Sequence, residues 1–342
     1  MTDALDLKNP PKKILIIRPS ALGDIVHSLP FLYTIKNRFP EAEIHWVVAR
    51  ELYQFLEGHP MIHKLWIFDK TRWKKISLLH KTIRKIIVFC LKLRNEKFDI
   101  TIDLSGLLRS GLIAVVSGAP VKLGFEEAAE GSSFFYTHKI KGGTQIHAID
   151  RYLKIASFLG CKTNCIKYPF APFPENPKIC ESLPEKYIVM APSAGKEANR
   201  WPSSRFGELA AKLPLPVVIT GSQADVPAAR VVEQNAKKNS IFLAGKTSLK
   251  ELAAVIKNAM YLISNDSGPA HIAAAFNVPV FAIFGSANPV RTGPYGSIHT
   301  VIQNKLPCSP CYRKKPCDHF KCMKDLSVEK VYSIIIQKMK SL

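Results

Sequence analysis

The sequence predicts an α/β protein built as two open, parallel-sheet domains, and three observations predict it. Short apolar runs alternate with helix-patterned stretches along most of the chain, as βαβ units do. The series is interrupted once, by IKYPFAPFPENPKICESLPEK over 166–186, which carries five prolines and little periodicity. The length, 342 residues, suits two cores of about 150 residues each better than one. The expected division is an N-terminal domain over 1–165, a linker over 166–186 and a C-terminal domain over 187–325, with a final helix over 326–342 packing back on the N-terminal domain.

In chain order, KILIIRP is the first strand and SLPFLYTIKNRF the helix that follows it; AEIHWVVA, KLWIFD and FDITIDLSG are further strands. After the linker, YIVMAPSAG, PVVITGS, SIFLAG, YLISNDSG and PVFAIFGS read as strands, with RFGELAAKL, SLKELAAVIKNA and PAHIAAAF as intervening helices. SVEKVYSIIIQKMKSL has apolar residues at helical spacing and closes the chain as a helix. Open parallel sheets bind ligands at the carboxyl ends of their strands, so two such domains place a site in the cleft between them.

Composition narrows the function. With 47% hydrophobic and 22% charged residues the chain is globular rather than disordered. No apolar run approaches the roughly 20 residues of a membrane-spanning helix, and MTDALDLKNPPKK has no apolar signal core; a cytoplasmic location is expected. The net charge of +21 points to acidic partners, namely phosphorylated substrates, an anionic membrane surface or nucleic acid. Eight cysteines in this context read as thiols or metal ligands rather than a disulfide framework.

Several stretches carry candidate chemistry. In RPSALGDIVHSLP, Asp24 stands at the exit of a strand and the mouth of a helix, where a carboxylate is either a cap or a working base. SNDSGPAHIAAAFNVPVFAIFGSANP turns through Asp266, Ser267 and Gly268 into a helix carrying Pro269 and His271, and free amides at such a turn suit phosphate. APSAGKEANRWP places small residues, Ser193 among them, after a strand, with Lys196 and Arg200 as cations; TGSQAD offers Asp225 to a ribose hydroxyl. No G-x-G-x-x-G occurs, which disfavours a nicotinamide enzyme, and AGKTS lacks the earlier glycine of a phosphate-binding loop and reads as a turn. CSPCYRKKPCDHFKC is a C-x2-C-x5-C-x4-C array in which Cys308, Cys311, Cys317 and Cys322 are either structural zinc ligands or unligated thiols in a basic loop. From Arg72 to Lys97, nine Lys or Arg stand against one Glu with apolar residues at helical spacing, a pattern shared by membrane-surface helices and by solvated basic faces. Scarce aromatics there argue against nucleic acid.

Together these pieces resemble the ADP-heptose:lipopolysaccharide heptosyltransferases of glycosyltransferase family 9. RPSALGDIVHSLP, NRWP and NDSGPAHIAAAFNVPVFAIFGSANPVRTGPYG match the family's three signatures in order and spacing, and HWVV, TRWKK and HAIDRYLKI look more like the type that adds the first heptose. The resemblance implies the GT-B fold, two Rossmann-like domains facing across a cleft. It also implies an inverting transfer from ADP-heptose to a Kdo-lipid A type acceptor at the inner face of the cytoplasmic membrane, with no cofactor required, no catalytic metal and no nucleic acid. Carried over, Asp24 is the base; Ser20 and Gly23 bind acceptor; Ser193, Lys196, Arg200, Asp225, Asp266, Ser267, Gly268 and His271 bind donor. Two positions depart from the pattern: Asn199 replaces a lysine two residues before the motif tryptophan, leaving Lys196 or Arg200 to meet the diphosphate, and Ala129–Glu130 replaces an Arg-Glu pair before SSFFY. The rival readings are a transferase for another nucleotide-sugar and a non-catalytic basic protein binding RNA or membranes.

Overall fold

A computed structural model describes residues 5, 7, 9–69, 79–311 and 317–341. The first part of the basic segment, with Trp73 and the TRWKK stretch, lies outside these residues, as do 312–316 within the cysteine array. The chain divides into two compact units, Met1–Pro172 and Phe173–Leu342.

The first unit carries a six-stranded parallel sheet. Its strands are β1 (Lys13–Ile17), β2 (Glu43–Ala49), β3 (Lys64–Phe68), β4 (Ile100–Asp103), β5 (Val121–Phe125) and β6 (His138–Ile140), in the order β3-β2-β1-β4-β5-β6. Ile14, Leu15, Ile16 and Ile17 are all buried, because a parallel strand covered on both faces needs apolar residues at consecutive positions rather than alternate ones. Its main helices are α1 (Leu22–Arg38), α2 (Leu79–Asn95), α3 (Leu108–Val116) and α4 (Ala148–Phe158), with α1 packed on α4.

The second unit repeats the plan. Strands β7 (Ile188–Ala191), β8 (Val217–Ile219), β9 (Ser240–Phe242), β10 (Tyr261–Asn265), β11 (Val280–Phe284) and β12 (Thr300–Gln303) run in the order β12-β11-β10-β7-β8-β9, again all parallel. Helices α5 (Ser203–Lys212), α6 (Val226–Asn235), α7 (Leu249–Lys257), α8 (Gly268–Ala275) and α9 (Val328–Met339) cover it. In each sheet the order reverses between the first and fourth strands of its unit, β1/β4 and β7/β10, and a doubly wound sheet binds its ligand at that reversal.

The proline-rich stretch is shared out rather than free. Pro169 accepts from the His59 ring at 2.9 Å and Lys167 lies over the Tyr33 ring in the first unit, while Glu175 pairs with Lys257 at 2.8 Å in the second. The expectation for the last helix is corrected. Val328, Val331 and Ile335 of α9 are buried with Trp201 and Phe206 in the core of the second unit, and α9 lies on α5. The reason is local: the Leu326 carbonyl accepts from Trp201 Nε1 at 2.8 Å and Arg205 Nη1 at 2.9 Å, so the chain enters α9 already anchored to that core. AGKTS is a turn that ends in a helix cap, Ser248 Oγ accepting the Glu251 N–H while the Glu251 carboxylate accepts the Ser248 N–H at 2.8 Å.

Candidate functional site

In the first unit the reversal point holds an arginine and two aspartates. Arg18 follows β1 and is 8% exposed. Its Nη1 donates to the Leu104 carbonyl just past β4 at 2.7 Å, its guanidinium lies over the Tyr152 ring, and its Nη2 meets Asp24 Oδ1 at 2.5 Å. Asp24 is the third residue of α1. The residue before that helix, Ala21, has no side-chain acceptor, so only the return half of a capping box exists, Asp24 Oδ2 accepting the Ala21 N–H at 2.9 Å. Asp24 is therefore a cap, but not one used up by capping. Each carboxylate oxygen has two acceptor sites, one is taken on each, and a third of the side chain is exposed. Ser20 and Gly23, in the same β1–α1 turn, are half-buried.

Asp103 ends β4 and is fully buried. Oδ1 accepts from the N–H groups of Ser105 and Gly106 at 2.8 and 3.0 Å, and Oδ2 from the Tyr136 hydroxyl at 2.7 Å. Burial pushes its carboxyl up, and these hydrogen bonds counter it only in part. Asp103 thus shapes the loop beside Arg18 and is not itself open to substrate. Beyond it, Glu127 accepts from Gly142 and Gly143 N–H at 3.0 and 2.9 Å and faces Arg151 at 3.7 Å. Near the departure at Ala129, Glu130 is engaged with the Leu108 N–H at 3.1 Å. His27, one turn along α1 from Asp24, meets the His147 ring edge-to-face at 4.9 Å. Sequence reasoning missed Arg18, Asp103, Arg151 and the two histidines. Arg18 and Asp103 had a usable signal, a charged residue at or just past the end of an apolar strand.

The second unit brings the expected donor residues together in two adjoining groups. In one, Asp225 accepts from Ser222 N and Oγ at 2.9 and 2.6 Å. Burial alone would push its carboxyl up; the bonds from Ser222, with the nearby Ser193 hydroxyl and the charge of Arg200, outweigh burial and hold it below the ordinary carboxylate range. Gly221 permits this turn, since a Cβ there would sit 2.9 Å from the Asp225 Cβ. In the other group, Asp266 follows β10, accepts from Asn199 Nδ2 at 3.3 Å and lies 3.9 Å from His271 Nε2. Gly268 opens α8, Ser267 precedes it without a side-chain cap bond, and the buried Ser267 Oγ has no hydrogen-bond partner among the described residues. The Asn265 side chain ties the two strand ends, accepting from Trp201 N and donating to the Pro192 carbonyl. Consecutive residues Asn199 and Arg200 join the groups, Arg200 being fixed by a 2.7 Å bond to the Ala194 carbonyl. Lys196 is exposed and lines a cavity with the cysteine array.

Chemically, the first unit presents a fixed, accessible carboxylate. The second presents helix amides without a side-chain cap, a hydroxyl and the Arg200 cation, the equipment for a phosphorylated ligand.

Comparison with known proteins places the chain among relatives of one family. The chain is 28% identical over 306 residues to the lipopolysaccharide core heptosyltransferase OpsX of Haemophilus influenzae, covering 85% of this chain and 84% of the relative. It is 30% identical over 336 residues to lipooligosaccharide heptosyltransferase 2 of Campylobacter jejuni, covering 93% and 96%. The structure of E. coli heptosyltransferase WaaC with ADP shares the fold, with a TM-score of 0.76 at 23% identity over 95% of this chain and 99% of that one. The family model for glycosyltransferase family 9 (heptosyltransferase) matches residues 86–322, well over half of the chain, and the chain belongs to that family.

Proposed function

We propose that the protein is an inverting heptosyltransferase that moves heptose from ADP-L-glycero-D-manno-heptose to the Kdo region of a Kdo-lipid A type acceptor. The observation that carries the reading is Asp24: a carboxylate held by two donors at the reversal point of its sheet, with an acceptor site left on each oxygen. A sugar hydroxyl is a poor nucleophile and needs its proton taken as it attacks. Asp24 accepts that proton while the acceptor oxygen bonds to the anomeric carbon, and the bond from that carbon to the β-phosphate oxygen breaks with its electron pair, releasing ADP. Ser20 and Gly23 line the acceptor side. The amides after Asp266, with Ser267 and Gly268, meet the diphosphate as its charge grows. Arg200 supplies positive charge there, Ser193 and Asp225 hold the nucleoside end, and His271 backs Asp266. No step needs a cofactor. Lys196 faces the cysteine cavity, so the donor reading rests on Arg200 for its cation.

The acceptor is an amphiphile, which calls for a membrane-facing surface. Ile83, Ile87 and Leu91 are spaced at four residues along α2 and are 47%, 51% and 56% exposed; the neighbouring α3 adds Leu108, Leu112 and Val115, all exposed. Arg84, Lys85 and Lys92 stand on the same helix and are exposed. No helix among the described residues is long and apolar enough to cross a membrane. These features support peripheral binding to the inner face of the cytoplasmic membrane. Replacing Arg84, Lys85 and Lys92 by Gln should weaken flotation with anionic vesicles, at about 1 kcal/mol per charge; unchanged flotation refutes the surface.

The decisive experiment is product analysis. ADP-heptose with a Kdo-lipid A acceptor should give ADP and a product heavier by one heptosyl residue. Asn199 stands in place of the family's lysine, so other ADP-, UDP- and GDP-sugars belong in the same assay. Transfer from one of those and not from ADP-heptose overturns the donor assignment. Thermal stabilisation by ADP beyond that given by pyrophosphate separates a nucleotide site from general polyanion binding.

A further inference from the structure

The four clustered cysteines have no part in the reaction above. Cys308, Cys311, Cys317 and Cys322, with His319, line one cavity of about 380 Å³ in the second unit, faced by Lys196, Ala198 and Ser286. The four are distant in sequence from the remaining cysteines, Cys90, Cys161, Cys165 and Cys180. Cys317 Sγ lies 3.8 Å from His319 Nδ1. Cys322 is 6% exposed. Among the described residues, Glu43, His45 and His63 form a tighter group of candidate ligand atoms, within 4.8 Å of one another, but there Lys13 Nζ already stands 3.3 Å from Glu43 Oε2 and supplies the charge. Four cysteines around one cavity are a soft donor set, and soft thiolates select zinc over magnesium or calcium.

We propose that Cys308, Cys311, Cys317 and Cys322 bind one zinc ion as a tetrahedral tetrathiolate, drawing the sulfurs inward from the walls of the cavity. The site is structural. Cys311 N–H donates to the Ser286 carbonyl at 2.7 Å and Ser309 Oγ to the Gly285 carbonyl at 2.6 Å, so the cysteine loop is fastened to the end of β11. Ser286 Oγ in turn donates to Asn199 Oδ1, and Asn199 Nδ2 to Asp266. Gly285 and Met323 close the other side: a Cβ at Gly285 would sit 2.6 Å from Met323 Sδ, next to Cys322. A metal that fixes the loop therefore fixes Ser286 and, through Asn199, the donor aspartate. The cysteines are positioning residues, and that last step rests on the proposed donor site whereas metal binding does not.

The test is elemental analysis of the full chain purified without metal-affinity resin. One zinc per chain is expected, released by a mercurial in step with loss of four thiols, and Co(II) added to stripped protein should give thiolate-to-metal charge-transfer absorption. Cys308→Ser with Cys317→Ser should lose the zinc, bind ADP at least several-fold more weakly and melt earlier, whereas Cys165→Ser, at an exposed position, should change nothing. If the double variant does not fold, the Co(II) spectrum and the zinc-to-thiol ratio of the unaltered chain still decide. Stoichiometric iron overturns the choice of zinc; absence of any metal together with a silent Co(II) titration overturns the site. Zinc bound without any heptosyl transfer leaves this site standing and refutes the proposed function instead.

Discussion

Replacing Asp24 by Asn separates a base from a structural carboxylate, and the structure sets the expected size of both effects. Each Asp24 oxygen faces a donor, Ala21 N–H on one side and Arg18 Nη2 on the other. Asn offers one oxygen and one NH2, so whichever way it turns, an amide N–H is set against a donor. Arg18 is left buried with the Leu104 carbonyl, the Tyr152 ring and the nearby Asp103 charge. Breaking a fully buried pair costs about 3–5 kcal/mol, but Asp24 is one-third exposed and water can replace part of what is lost, so roughly 1–3 kcal/mol is expected. In a unit of 172 residues, where about 1 kcal/mol moves Tm by 2–4 °C, that is a fall of several degrees. The rate should drop further, by roughly 10²- to 10⁴-fold, the worth of a positioned base. The assay is ADP release at saturating donor and acceptor, run well below the variant's melting temperature, alongside a thermal melt. A lowered Tm with turnover within a few-fold of the parent would show that Asp24 serves only the ion pair and the cap. An unchanged Tm would refute the energetic role assigned to Arg18.

Other substitutions test other links. Gly124→Ala places a Cβ 2.2 Å from the Tyr136 ring and should push that hydroxyl off Asp103, costing about 1–3 kcal/mol by overpacking; a denaturant midpoint equal to the parent's would contradict it. Asn199→Ala removes the bond to Asp266 and should weaken ADP-heptose binding roughly tenfold by calorimetry, with the melt little changed; parental affinity would free Asp266 of that support. Burial, the largest influence on His45, lowers its imidazole from 6.5 to about 4. The unfolded chain then takes up a proton between those values that the folded chain refuses, so stability is complete above about pH 6.5 and falls as pH drops through the window, by about 2 kcal/mol at pH 5. His45→Gln should flatten that slope in urea melts, and an equally steep slope would assign it to other groups.

The legible parts of the fold are those whose pattern is set by burial on both faces. Most of the nine strands read from the sequence carry apolar residues at consecutive positions, as KILII, IVMA and VFAIF do, the pattern of parallel strands under two helical layers. The three strands that escaped lie toward the sheet edges or carry a residue chosen for a neighbour. VKLGF, the fifth strand, has Gly124 where a side chain would strike Tyr136, and nothing in sequence announces a tyrosine twelve residues on. HKI and TVIQ are short edge strands with too few residues for periodicity to register. The final helix had a correct pattern and a wrong destination, because an apolar face states that it will be covered and not by what; the anchor at Leu326 is a backbone carbonyl and invisible to any motif. In the site, Asp24, Asp225 and Asp266 were legible from their place after strands. Asn199 was read as a lost lysine, and its bonds to Asp266 and Ser286 follow only from where the strands β7, β10 and β11 end.

On the proposed donor site, that last residue would change how Asp266 is held without removing it. A lysine donates and cannot accept. Asn199 does both, accepting from Ser286 and donating to Asp266, so a position that elsewhere carries a charge here becomes a relay between the loop after β11 and the turn after β10. Arg200, one residue along, carries a positive charge, and its guanidinium is held by the Ala194 carbonyl and helps keep Asp225 ionised. A relay of neutral hydrogen bonds is only as rigid as the loop at its far end, and that loop holds the four cysteines. With an amide at position 199, Asp266 therefore depends on how firmly the cysteine loop is held, which ties the proposed donor site to a loop outside its own motifs.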